Sequence, residues 1–406
     1  MTAGQLAKGS KHFAAVDRDH SLLSPSFLAL LVTQLLGATN DNILRWLIIG
    51  IGKQYAENSA SVAAILTKGT VAFVAPYLLL ASISGYLADR FSKRQVIVVC
   101  KAAEAAIMLL AIASILLGQV WAMLVVLALM GAQSALFGPA KLGSIPEILD
   151  DSRISAANGI LGLPTVVATS IGAVVGSVLA DVTGHHGQER WWLSAVVLLG
   201  VAAVGWLTSL AIRPLPAADP TRTFPWDAAR QTWRDLQTLA HTPAMLRGAR
   251  GIAVFWTRGG LANLNIDQFA VEGLATKQSQ MSGLLVCLVV GVGVGSVLAG
   301  FWSKGKVELG MLPLGAGGLA IVTYLLFTIE GELFDPSGEW TLSYVAAAAL
   351  LFLLGFSGGL FDVPLAAYMQ YNSPADRRGS ILAASNFMTF GGMLLASLFF
   401  FVMRLP

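Results

Sequence analysis

Charge is what this chain lacks most. Only 12% of its 406 residues are Asp, Glu, Lys or Arg, about half the share of an average soluble domain. With 55% of the residues hydrophobic, so little polar surface argues against a soluble enzyme. Cysteine is nearly absent. Cys100 and Cys287 each sit in an apolar stretch, too few for a disulfide framework or a zinc cluster, and they read as small buried hydrophobes. The five histidines lie outside the apolar runs, and His185-His186 reads as a polar loop rather than a metal site. The net charge is only +3, and no clustered basic face suggests nucleic acid. What the chain does have is apolar length and 42 glycines, a residue more frequent in membrane helices than in soluble ones.

A helix needs about 20 apolar residues to cross the hydrocarbon core. Eleven such runs are present, at 26–50, 61–87, 96–117, 120–140, 156–180, 191–212, 248–271, 281–302, 309–329, 341–364 and 380–403. The polar start, residues 1–24, has no apolar core with a cleavage site, so it reads as a tail and the first span as retained. With that tail in the cytoplasm and the spans alternating, 18 Lys and Arg fall on the cytoplasmic side, Lys141 among them, and four on the other. Positive charge accumulates on the cytoplasmic side of membrane proteins, so this split fixes the expected orientation.

The chain repeats itself. Gly131, Leu136-Phe137 and Pro139 match Gly355, Leu360-Phe361 and Pro364, and Asn158 matches Asn386, at an offset of 224 to 228 residues. Two homologous halves are expected, 25–212 and 248–406. The first half holds six spans and the second five. The chain is therefore expected to be a cut-out lacking a twelfth span, with a genuine eleven-span protein as the alternative. Between the halves, 213–247 opens with Arg213-Pro-Leu-Pro, which ends a helix. Inside it Trp226, Ala229, Trp233, Leu236 and Ala240 recur at helical spacing, with Arg230, Arg234 and Asp235 on other faces. Such a helix suits either the cytoplasmic membrane interface or water.

Several residues carry mechanism. Between spans 2 and 3 stands Gly85-x-x-x-Asp89-Arg90-x-x-Lys93-Arg94, a charge cluster that can break and reform as two bundles rock. Span 1 holds Gln34, Asn40, Asp41, Asn42 and Arg45. A charge at the bilayer centre costs about 2.5–3.5 kcal/mol, so these should line a wet cavity. Asp41 and Arg45 are four apart and can pair, with Gln34 on the same face. Span 7 holds Arg258, Asn263, Asn265 and Asp267; Arg258 and Asn265 share a stripe, and an Arg suits bidentate phosphate contact. Lys68 could do the same or reach the interface. Lys101 and Glu104, three apart, are expected to neutralise each other. Asp362 in span 10 occupies the place of Gly138 in the first half and is a candidate for coupling. Gly291-x-Gly-x-Gly295 has no preceding strand and no following Gly-Lys-Ser/Thr, so it reads as helix packing, like Gly172-x-x-x-Gly176. No nucleophile–base set is visible, and no cofactor or metal is expected.

The loop at 85–94 resembles the charged signature of the major facilitator superfamily, with Ser92 where a Gly is usual and Lys93 where an Arg is usual. Asn40-Asp41-Asn42, Phe137-Gly-Pro-Ala-Lys141-Leu-Gly, Pro146-Glu147, Ala157-Asn158-Gly159, Leu264-Asn265, Lys306-Val-Glu-Leu-Gly310, and Val363-Pro-Leu with Gln370 are together similar to the bacterial lysophospholipid transporter family within it. The similarity spans nearly the whole chain. It implies an all-α polytopic membrane protein with the major facilitator fold, two six-helix pseudo-repeats and rocker-switch alternating access. It implies transport of lysophospholipid, such as lysophosphatidylethanolamine, from the outer to the inner leaflet of the bacterial cytoplasmic membrane for re-acylation. It further implies a transport role for Asp41 and for an arginine in span 7, where this chain has Arg258. Relatives are often fused to a glycerophospholipid acyltransferase, which makes a fused or associated acyltransferase an expected partner. Composition alone would suit a proton-coupled exporter of amphiphilic drugs as well, and a non-transporting membrane module of an acyltransferase is the third alternative.

Overall fold

The computed structural model describes residues 19–55, 59–272, 278–303, 307–329, 333 and 339–402. Thirteen α-helices follow one another there: α1 Pro25–Gln54, α2 Ser59–Leu79, α3 Ala81–Arg90, α4 Lys93–Leu116, α5 Val120–Ile148, α6 Ile154–Val182, α7 Trp191–Leu210, α8 Ala228–Ala240, α9 Pro243–Glu272, α10 Gln278–Trp302, α11 Leu312–Phe327, α12 Leu342–Asn372 and α13 Arg378–Val402. Each of the eleven apolar runs coincides with a helix or, for the second run, with the pair α2–α3. Eight helices are long and apolar enough to cross a membrane among the described residues, nine when that pair, bent by 53°, counts as one span. The bend lies one turn after Pro76, which removes a ladder hydrogen bond. Of the other two, α9 carries Arg247, Arg250 and Arg258, and α10 is apolar over Val286–Trp302 in its described part.

Local chemistry sets the ends. Ser24 accepts from the Phe27 amide at the start of α1, with Pro25 in the first turn, and Thr341 does the same for Tyr344 at the start of α12. These caps satisfy amides that have no partner within the helix. Helices run past the apolar runs where sequence alone would stop them. Thus α5 passes through Pro139 and Pro146 to Ile148, since neighbouring helices re-satisfy the backbone that proline frees. This corrects the placement of Lys141 in a cytoplasmic loop: it stands inside α5.

The repeat is visible in the packing. A β-carbon on Gly131 of α5 would stand 2.1 Å from the Phe73 carbonyl oxygen of α2, and one on Gly355 of α12 would stand 2.2 Å from the Leu288 carbonyl oxygen of α10. Only glycine lets the fourth span of each half lie this close to the second. Gly172 and Gly176 likewise face α1, while Gly291 and Gly295 face α12. Apolar side chains of α1, α4, α5, α6 and α7, among them Leu47, Met108, Leu127 and Leu198, fill the first half. In the second, Met245, Ala249, Met369, Ile381 and Leu382 join Leu239 of α8.

Candidate functional site

The polar residues of α1 divide among its neighbours. Gln34 donates to Thr165 Oγ1 of α6 at 3.1 Å. Asn40 donates to Glu104 Oε1 of α4 at 2.9 Å. Asp41 Oδ2 accepts from Ser134 of α5 at 2.6 Å, and Ser134 is also 3.2 Å from Gln133 Oε1. Arg45 donates to Thr70 Oγ1 of α2 at 3.2 Å. The expected Asp41–Arg45 pair therefore does not form among the described residues. Each side chain is drawn to a different neighbouring helix, and the shared face at four-residue spacing is not enough to hold them together. Among the described residues Asn42 bonds only its own helix, donating to Ala38 O at 2.8 Å.

Lys101 and Glu104 form the expected ion pair, both 1% exposed. Lys101 Nζ also lies 5.9 Å from the centre of the Phe137 ring, and Lys141 Nζ lies 5.6 Å from it. One aromatic ring of α5 thus lies near two cations, a favourable contact where water is scarce. The charges acting on Asp41 are those of Glu104, Lys101 and Lys141. Because the Lys101–Glu104 pair is internally neutral, Lys141 is the cation that remains for Asp41 or a ligand. Sequence reasoning missed this role of Lys141. Its signal was the spacing of seven from Ser134, which puts both on one stripe of α5. Asp41 Oδ1 is buried with no hydrogen-bond partner among the described residues.

On the other half, Asp362 of α12 accepts from Trp256 Nε1 of α9 at 3.2 Å. Arg258 is exposed, and so is Lys68 of α2; neither joins the Asp41 group. The side chains of Asn263, Asn265 and Asp267 lie outside the described residues. Tyr77 of α2 stacks on Phe390 of α13 with ring centres 3.7 Å apart, bringing the two halves together beside the Asp41 group, since the Asp41 charge acts on Tyr77.

The loop between the second and third spans forms a latch. Asp89 Oδ1 accepts from Gly379 N at 2.7 Å, and Oδ2 accepts from Ser380 N at 3.1 Å and from Ser380 Oγ at 2.8 Å. The carboxylate thus sits on the first turn of α13, where backbone amides are unpaired and the helix dipole favours negative charge. Gly85 makes the approach possible: a β-carbon there would stand 2.8 Å from Ser380 Cα. The expected cluster of Asp89 with the three loop cations is corrected. The ion-pair partner of Asp89 is Arg222, from the segment between the halves. Lys93 is buried against Glu147, and Arg94 donates to Leu210 O at 2.9 Å. Arg90 acts on Asp219 through charge. The reason is reach: Lys93 and Arg94 belong to the first turn of α4 and point back into their own half. Arg222 could not be found from sequence, since 133 residues separate it from Asp89.

More contacts between halves gather at this same end. Asn158 of α6 and Gln370 of α12 exchange hydrogen bonds of 2.8 and 2.7 Å, and Ser296 and Gly300 of α10 meet Gly159 of α6. Beside the latch lies a cavity of about 210 Å³ lined by Asp219, Arg222, Gln231, Asp235 and Arg377. The Thr221 hydroxyl donates to Asp219 at 2.7 Å and holds its carboxyl below the usual range, while burial pushes Asp235 up. Among the described residues no three metal-ligating side chains converge.

The family model of the Major Facilitator Superfamily matches residues 23–397. The lysophospholipid transporter LplT of Serratia proteamaculans is 30% identical over 366 residues, covering 87% of this chain and 81% of that protein. LplT of Cronobacter sakazakii is 29% identical over 358 residues, covering 86% and 81%. Among solved structures, the human organic anion transporter MFSD10 superposes with a TM-score of 0.70 at 13% identity, covering 92% of this chain and 93% of that one. FucP in its outward conformation superposes with a TM-score of 0.68 at 13% identity, covering 93% and 91%. A two-half helical bundle that spans the membrane, latched through a charged loop and matched nearly end to end in sequence, leaves one assignment: the chain belongs to the lysophospholipid transporter family of the major facilitator superfamily and is a transporter, not an enzyme.

Proposed function

We propose that the protein carries lysophospholipid from the outer to the inner leaflet of a bacterial cytoplasmic membrane, where an acyltransferase, fused or separate, re-acylates it. The observation that carries this reading is the buried Asp41 Oδ1, which has no hydrogen-bond partner among the described residues, within range of the Lys141 charge. A lysophosphatidylethanolamine headgroup has the matching chemistry. Its ammonium suits the free carboxylate oxygen, and its phosphate suits Lys141, with Arg45, Lys68 and Arg258 as further cations on its route. Asn42, Gln34, Asn265 and Asp362 are secondary candidates that complete a polar lining, while the acyl chain stays among apolar side chains. Residues 25–212 and 248–406 act as the two rocking units, and 213–247 links them.

With Lys141 inside α5, the distribution of Lys and Arg becomes 17 to 4 and still supports a cytoplasmic N-terminus. It puts the Asp89 latch on the cytoplasmic side, so a molecule latched there is closed to the cytoplasm and suited to take lipid from the outer leaflet. The test is uptake of labelled lysophosphatidylethanolamine by the reconstituted full chain, alongside Asp41→Asn and Lys141→Met. Wild-type uptake, lost in both variants while both still fold, is the expected result. Absence of wild-type uptake with export of amphiphilic cations would instead establish the drug-exporter alternative.

A further inference from the structure

The segment between the halves carries an unpartnered aromatic stripe. In α8, Thr232 and Leu239 are buried and Asp235 and Leu236 half-buried against the bundle, where Leu236 and Leu239 join the apolar cluster of α9, α12 and α13. Asp227 caps the helix by accepting from Arg230 N at 2.9 Å, and the packing of Leu236 and Leu239 fixes its rotation about its own axis. That rotation leaves Trp233, 63% exposed, on the outer side, and Trp226, two residues before the helix, is 91% exposed. Ala229 and Ala240 share that side and are exposed too. Exposed Arg230 and Arg234 border the stripe. A tryptophan presented to water on a fixed helix face, with a second just ahead of the helix, is costly unless something covers them.

The stripe is continuous with the surface that faces lipid. Tyr86 of α3 meets Phe91 edge to face at 6.2 Å, then Phe224 at 5.4 Å, and Phe224 meets Trp226 at 5.0 Å. Phe91 closes a membrane-spanning helix and is itself exposed. The aromatic chain therefore starts at the end of a span and runs out along the linker. Tryptophan and tyrosine concentrate at the boundary between hydrocarbon and headgroups, and arginines beside them match anionic headgroups.

We propose that α8 lies in the headgroup region of the leaflet on its own side, with Trp226 and Trp233 immersed and Arg230 and Arg234 bound to anionic lipid. Arg222, four residues before Trp226, holds Asp89, so the membrane surface anchors the same segment that fastens the latch. This inference is independent of which lipid is carried.

The experiment uses the full chain in nanodiscs, with Cys100 and Cys287 replaced by Ala and one nitroxide at Ala229→Cys, Ala240→Cys or Thr238→Cys. Collision with oxygen, which dissolves in lipid, is compared with collision with a water-soluble nickel chelate. Labels at 229 and 240 should favour oxygen and the label at 238 nickel, with the contrast growing several-fold when phosphatidylglycerol is added to phosphatidylcholine. Arg230→Gln with Arg234→Gln should abolish that added contrast. Nickel access at 229 and 240 equal to that at 238 overturns the proposal in favour of a solvated helix. Shielding of both positions from both quenchers overturns it in favour of a second protein copy, and immersion that ignores phosphatidylglycerol overturns the role given to anionic lipid.

Discussion

Lys101 and Glu104 lie three residues apart on α4, and Asn40 closes their group from α1. Next to Asn40 in sequence, Asp41 differs in one respect: it carries a charge and joins no ion pair among the described residues, although Asn40 Oδ1 and Asp41 Oδ1 alike lack a hydrogen-bond partner there. The Lys101 and Glu104 charges cancel and hold helices together, whereas the Asp41 charge leaves capacity for a ligand. The two should fail differently when altered. Removing one partner of a buried pair costs about 3–5 kcal/mol, while replacing both with apolar groups of similar volume is close to neutral. Lys101→Met should therefore lower the melting temperature sharply, and adding Glu104→Gln should restore most of the loss. A double variant as unstable as the single one would show that the pair is not what Lys101 contributes. Asp41→Asn, by contrast, should melt close to wild type.

The segment between the halves behaves as an element in its own right. Its backbone reaches the latch, with Asp219 N donating to Asp89 O at 2.8 Å, and its Arg222 pairs with the Asp89 carboxylate. A hydrogen bond to a charged group contributes about 1.5–3 kcal/mol, which is roughly tenfold to a hundredfold in a two-state balance. Arg222→Gln should shift the halves toward separation at the latch end by about that factor, read as faster alkylation of a cysteine placed at Asn158. Unchanged alkylation would mean that the three donors from Gly379 and Ser380 hold Asp89 unaided. Spacing within one helix exposed Gly85, Asp89, the Lys101–Glu104 pair and the apolar runs in the sequence, because these follow helical period and span length. It did not expose Arg222 or the division of α1 among four neighbours, because those depend on which helices the fold brings together. Lys141 was misplaced for a third reason: Pro139 reads as a helix end in water, yet α5 continues through it.

At the scale of the whole molecule, the two halves repeat in packing but not in chemistry. Gly131 and Gly355 perform the same task, and both asparagines of the repeat turn toward the other half: Asn158 to Gln370, and Asn386 to within 3.3 Å of where a β-carbon on Gly138 would be. Asp41 and Lys141 belong to the first half only, while the second offers Asp362 and Trp256. Such asymmetry suits a carrier in which one half grips the headgroup and the other moves across it. That motion requires the interface between α6 and α10 to open. A β-carbon on Gly162 of α6 would stand 3.6 Å from Ser296 Cβ of α10, inside the range for a disulfide. With Cys100 and Cys287 replaced by Ala, the pair Gly162→Cys and Ser296→Cys should crosslink under mild oxidation. Lysophospholipid uptake should then stop, and reduction should restore it in the same vesicles. Continued uptake by fully crosslinked protein would mean that substrate passes without separation of these helices, and rocking about this seam would have to be abandoned.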